Sequence, residues 1–218
     1  MARLKAVAQV IQRCRPYIKA AGFTPKGAAA TRDLGPLLHG IAVRASRNYP
    51  GRFLISLDVT VFDPFLAKPD HVVCLRGYVG RDGASHRQIW WESNEVEQAA
   101  ANLLGHAVPW LDKRGDLPSL IAIFEGGIES KRSIEDMHQW QGSNEIAGSI
   151  VRAFWPNGLQ QAFPFIYHRW LSLLYYHAVP QQIPQALAHA KEYRKYITRE
   201  EAETMLHQLA AIDAQGPG

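Results

Sequence analysis

"RFLISLDVTVF", residues 52–62, decides how the rest of the chain is read. Phe53, Ile55, Leu57, Val59 and Val61 alternate with Arg52, Ser56, Asp58 and Thr60, and successive side chains of a strand point to opposite faces. The segment is therefore a strand with one apolar face, and its β-branched residues suit a pleated surface. "LLHGIAVRAS", 37–46, repeats the alternation, and "RNYPG", 47–51, joins the two as a hairpin. "HVVCLRGYVG", 71–80, makes a third strand. "RQIWW", 87–91, reached through the turn "GRDGASH" at 80–86, makes a short fourth. Each connection is too short for a helical crossover, so the sheet is expected to be mainly antiparallel, with about three to five strands.

Helical signals flank this sheet. Leu4, Val7, Ile11, Cys14 and Ile18 recur at steps of three and four, which places them on one helical stripe. Gly22 is a natural stop, and Pro16 should kink the last turn or end it early. Asn94 with Glu97 reads as a capping box ahead of Val96, Ala100, Leu103, Leu104, Ala107 and Leu111. Pro109 should break or kink that helix, leaving "VPWLDKRGDLPSL", 108–120, to form a second short one with Trp110 buried against the sheet, and Pro118 to start a third. The polar, glycine-containing "EGGIESKRS", 125–133, is the expected lobe boundary. Beyond it, 144–155, 158–177, 181–197 and 199–212 carry helical periodicity, with Thr198 and Glu201 as another capping box. Helices joined by such short turns pack as antiparallel hairpins. The expectation is an α+β protein: a sheet lobe over 1–127 with an N-terminal helix, and an all-helical lobe over 128–218 that covers the second face of the sheet.

Composition narrows the functional classes. Across 218 residues, 47% are hydrophobic and 20% charged, ordinary globular usage far from the disordered regime. Lys and Arg exceed Asp and Glu by 24 − 20 = 4. That excess is too small and dispersed for a nucleic-acid footprint, which needs cations clustered on one face. The two cysteines, Cys14 and Cys74, lie among apolar neighbours and read as buried free thiols. Gln9, Gln12 and Arg13 interrupt the N-terminal apolar run before a signal-peptide core forms, and no stretch approaches the roughly 18 apolar residues of a membrane span. A cytoplasmic setting is expected.

The order of motifs is informative beyond any one of them. "AGFTPKG" (21–27) ends the first helix, "ATRDL" (30–34) follows, and "FLISLDVTVF", "CLRGYVG", "IWWES" (89–93) and "VPWLDKRGDLPSL" come in turn. Over roughly residues 5–125 this resembles the bacterial family catalogued as domain of unknown function 4304 (DUF4304). Gly22, Phe23, Lys26 and Gly27 match its glycine–phenylalanine corner, Cys74, Leu75 and Arg76 its third strand, and Trp90 and Trp91 its tryptophan pair. The alanine-rich "GAAATR", 27–32, departs from the more polar and aromatic strand of that family, which puts the first edge strand in question. The resemblance implies a fold and a bacterial source, and no particular activity.

Candidate chemistry concentrates on the second face of the sheet. With Phe53 to Val61 turned to the core, Ser56, Asp58 and Thr60 face the other way, beside Arg44 from the preceding strand and Arg76 and Tyr78 from the following one. A carboxylate between two guanidinium groups suits a polar ligand or a charged loop of a partner, because arginine offers planar bidentate donors; the plainer alternative is a solvated ion-pair lattice. Of Trp90 and Trp91, adjacent on a strand, one must be core, and the other is inter-lobe packing or an exposed anchor, so Trp91 joins the candidates. Glu135 and His138 stand alone as an i, i+3 pair, and His168 and His177 fall on opposite sides of a helix, so no metal site is expected. No catalytic residues and no cofactor are expected either. The leading expectation is a non-enzymatic protein that binds another protein, most concretely an immunity protein that neutralises a cognate toxin. The alternatives are a small-ligand binder or enzyme using Arg44, Asp58 and Arg76, and an accessory nucleic-acid-binding protein.

Overall fold

The computed structural model describes residues 2–85, 88–129, 163–178, 182–196 and 200–215. The chain starts with α1 (Ala2–Ala20). Val7, Val10, Ile11, Cys14 and Ile18 form its buried stripe. The helix does not end early at Pro16 but runs four residues beyond it. Cys14 and Ile18 bracket it in the core, and keeping that stripe buried outweighs a proline penalty of roughly 3 kcal/mol. The helix ends where expected: Gly22 adopts φ +82°, while Phe23 N donates to Ile18 O (3.1 Å) and Gly22 N to Lys19 O (3.0 Å), the paired bonds of a glycine-terminated helix.

Among the described residues seven strands follow: β1 (Thr24–Lys26), β2 (Ala29–Leu34), β3 (Leu37–Ala45), β4 (Arg52–Asp63), β5 (Asp70–Val79), β6 (Ala84–Ser85) and β7 (Trp91–Glu92). They lie in the order β1-β2-β3-β4-β5-β6, with β7 paired to β4. The three-to-five estimate missed β1 and β6, which are too short to show a period, and the short fourth strand expected over 87–91 is confined to β7 at Trp91–Glu92. The doubtful "GAAATR" region does contain a strand: β2 pairs antiparallel with β3, Ala30 opposite Ile41 and Arg32 opposite His39. Its turn is closed by Gly35 at φ +79° and by Gly35 N donating to the Asp33 carboxylate (2.9 Å). The protein is thus α+β, with an N-terminal helix, an antiparallel sheet and C-terminal helices.

Every apolar residue of the alternation is buried, although in β4 burial extends to residues of the other face as well. Leu37, Ile41 and Val43 of β3 and Phe53, Ile55, Leu57, Val59 and Val61 of β4 are all core. After β7 come α2 (Val96–Asn102), a π-helical turn (Leu103–Ala107) and α3 (Val108–Asp112). Ala99, Leu103, Ala107 and Leu111, each four apart, supply their buried seam. One local expectation fails here. Asn94 does not cap α2; the N-cap is Glu95, without a side-chain cap bond, because its carboxylate instead accepts from Glu92 N (2.7 Å) and from Arg81. At Pro109 the chain opens the short helix expected for "VPWLD", α3, with the widened π turn before it relieving the crowding a proline imposes on the preceding turn. Trp110 is buried as expected: its ring lies where any Cβ on Gly77 would stand, 2.7 Å away.

The chain divides into two compact units: Met1–Thr60 with Val73–Gly115, and Val61–Val72 with Asp116–Gly218. The anticipated boundary at 127/128 is displaced, because α4 (Leu117–Glu129) runs as helix through Glu125, Gly126 and Gly127. Asp116 starts it by accepting from Ser119 N (2.7 Å), and Leu120 and Phe124 anchor it in the core. In this second unit α5 (Phe163–Ala178) packs against α4 and α6 (Ile183–Tyr196), and α6 against α7 (Glu200–Gln215). The far ends of β4 and β5 belong to it too. Asp63, almost wholly buried, is paired with Arg169 of α5 at 2.9 Å, and Phe65 meets the Tyr176 ring edge-on. The helix expected over 144–155, the Glu135–His138 pair and the capping box at Thr198 lie outside the described residues.

Candidate functional site

Pairing of β3 with β4 and β4 with β5 brings four of the five candidate residues together. Arg76 grips Asp58 with two bonds, Nε to Oδ1 at 2.5 Å and Nη2 to Oδ2 at 3.3 Å. Arg44 Nη2 stands 3.6 Å from Oδ2. Gly40, the β3 neighbour of Asp58, leaves room for the carboxylate; a Cβ there would touch Asp58 Cβ at 3.5 Å. Tyr78 hydrogen-bonds Arg76, and burial pushes its hydroxyl pKa up. One carboxylate between two permanent cations leaves an excess of positive charge.

Where that charge reaches solvent differs from the expectation. The side chains of Asp58 and Arg76 are each 14% exposed, while that of Arg44 is 52% exposed. Ser56, Thr60 and Tyr78 are buried. This face is therefore a covered ionic cluster with one accessible end, Arg44, and Tyr78 is not a contact residue. Trp91 is likewise corrected. It pairs with Phe53 across β7 and β4, which puts it on the apolar face, and it is wholly buried with Nε1 donating to Val79 O at 2.9 Å. Trp90, its neighbour, is half-buried.

The sequence reading missed the β3–β4 turn as a surface. Tyr49 is 56% exposed, yet its backbone is fixed: Tyr49 N donates to Ser46 Oγ (3.0 Å), Arg52 N to Tyr49 O (3.2 Å), Ser46 N to Arg52 O (2.9 Å), and Gly51 takes φ +88°. The Arg52 guanidinium lies over the Tyr49 ring, 5.2 Å from its centroid, and is paired with Glu92 at 2.7 Å. Arg47 beside them is exposed. Residues 44–57 contain three arginines and no acid, a signal that was available but spoke only for a turn.

Further polar groups are built into each unit. In the sheet unit His39 is fully buried. Arg32 Nη2 can only donate, so His39 Nδ1 accepts from it (3.0 Å) and Nε2–H donates to Arg114 O (3.0 Å). The ring is thereby fixed neutral, and burial lowers its pKa. Cys14 and Cys74 are buried free thiols, as expected; burial pushes them up to about 11 and about 12, which makes them inert. In the helical unit His168 Nδ1 and His189 Nδ1 are 2.8 Å apart. Tyr175 stacks on His189 and donates its hydroxyl hydrogen to Glu125. His177 instead donates from Nε2 to Phe62 O (2.7 Å), so His168 and His177 do indeed face different partners. Among the described residues no group of three or more His, Cys, Asp or Glu is placed to hold a metal ion, and no helix is long and apolar enough to cross a membrane. No family model, no curated protein and no solved structure matches this chain.

Proposed function

We propose that this is a non-enzymatic, cytoplasmic protein of bacterial origin that works by binding another protein, most concretely as the immunity partner of a toxin. The observation that carries the reading is the rigid, exposed turn of Arg47, Tyr49 and Arg52 beside the accessible end of the Arg44–Asp58–Arg76 cluster. Tyrosine and arginine are the residues that most often dominate interface energetics, and a turn already ordered in the free protein loses little entropy on binding. The surplus of cations over Glu92 and Asp58 suits an acidic protein surface. Three arginines, two of them already paired, are too few for a nucleic-acid footprint, where each phosphate contact needs its own cation. The resemblance of residues 5–125 to DUF4304 supports the bacterial setting.

The test is co-expression with the product of the adjacent gene, followed by size-exclusion chromatography and titration calorimetry. A stable complex is expected, weakened about thirtyfold or more by Tyr49→Ala, a loss of about 2 kcal/mol, and similarly by Arg44→Glu. A neighbouring metabolic operon with no complex formed overturns the proposal. A complex that both substitutions leave intact overturns the assigned surface.

A further inference from the structure

We propose that His168 and His189 share a single proton between their Nδ1 atoms and act as an acid-sensitive clamp holding α5 to α6. The pair was hidden in the sequence, because the two residues are 21 positions apart on different helices and meet only across the hairpin. Their 2.8 Å separation requires one donor and one acceptor. Two bare nitrogen lone pairs would repel, and two N–H groups would collide. The first proton added to the neutral pair preserves the bond, since an imidazolium donates to a neutral imidazole. A second destroys it and sets two like charges on rings whose centroids are 5.1 Å apart.

The surroundings hold the rings in place. His168 and Tyr175 are seven apart, two turns along one side of α5, and His189 of α6 enters between them, 5.1 Å from one ring and 5.6 Å from the other. Tyr175 is nearly parallel to His189, at 7°, and is itself tied to Glu125 of α4. The charges acting on the pair are Glu125 from α4 and Glu192 and Lys195 from α6. Lys195 neutralises Glu192 at 2.5 Å, and Glu203 of α7 is taken by Arg194. Glu125, bonded to the uncharged Tyr175 hydroxyl rather than to a cation, favours a proton on His189, but burial and His168 act on that ring more strongly and in the opposite direction. Burial lowers the proton affinity of both rings, and His168 further lowers that of His189. The unfolded chain thus binds protons more readily, so the pair's contribution to stability is complete above the ordinary histidine value, about 6.5, and declines as pH falls below it, the bond itself giving way with the second proton.

The experiment is an imidazole proton–nitrogen NMR titration of the whole chain from about pH 8 to about pH 4.5, with amide hydrogen exchange on α5 and α6 across the same range. The expected result is coupled, two-step titration of both rings below about 6.5. Once corrected for the intrinsic pH dependence, exchange in the two helices should become roughly tenfold faster over the acid step. In His168→Asn, whose amide can still donate to His189, that acceleration should disappear, although His39 and His177 remain. Independent titration of the two rings near 6.5, or acceleration that persists in the variant, overturns the proposal. So does a shift of both Nδ1 signals on adding zinc chloride, which makes the pair metal ligands instead. Should the variant fail to fold, the titration of the unaltered chain decides alone.

Discussion

In the sheet unit Asp58 is held by arginines that stay charged at every ordinary pH, whereas in the helical unit His168 and His189 hold each other as neutral rings. The two clusters answer the same requirement, since polar side chains removed from water need partners. They differ in what disturbs them. Permanent charges are sensitive to losing a partner, because the remaining one is stranded. Titratable neutral groups are sensitive to pH. The first arrangement suits a surface that must present a fixed charge, the second an element that is to loosen on acidification.

Substitutions can sharpen or break this contrast. The largest effect is expected from Trp91→Ala, which removes a wholly buried ring paired with Phe53 and bonded to Val79 O: a loss of ~3 to 5 kcal/mol in chemical denaturation. A value under ~1 kcal/mol would return Trp91 to the surface and reopen it as a contact residue. Next, Arg76→Glu faces Asp58 with a second carboxylate in a mostly covered site and should cost ~2 to 3 kcal/mol. An unchanged thermal midpoint would show that the cluster is solvated after all. Gly77→Ala places a Cβ 2.7 Å from the Trp110 ring, overpacking worth ~1 to 2 kcal/mol by the same assay.

Smaller effects test the titration side. His39 is buried in a neutral form with its pKa lowered, so its contribution is complete above about 6.5 and is lost as pH falls below that. Thermal midpoints measured from about pH 8 to about pH 5 should decline, less steeply in His39→Gln; identical slopes would remove His39 from the account. The smallest effect is Arg44→Glu, expected to shift stability by less than ~0.5 kcal/mol because that side chain is half in water. A large loss would mean that Arg44 is as structural as Arg76, and the exposed end of the cluster would not exist.

The amino-acid sequence by itself determined the pleat. Strand side chains alternate with a period of two, so Phe53 to Val61 reaching the core, and Arg44, Asp58, Arg76 and Tyr78 meeting on the other face, followed from spacing and the order of hairpins. The end of α1 at Gly22 was legible for the same local reason, a glycine supplying positive φ. What covers a face is not local, and only the tertiary structure decided that Tyr78, Ser56 and Thr60 are buried while Arg44 is not. Burial also overrode local rules: the packed stripe carried α1 through Pro16, and Leu120 with Phe124 carried α4 through its glycines. His168 and His189 met only because the α5–α6 hairpin fixed which turns oppose each other. A helix presents a residue to every side in turn, so its spacing names a face without naming the neighbour.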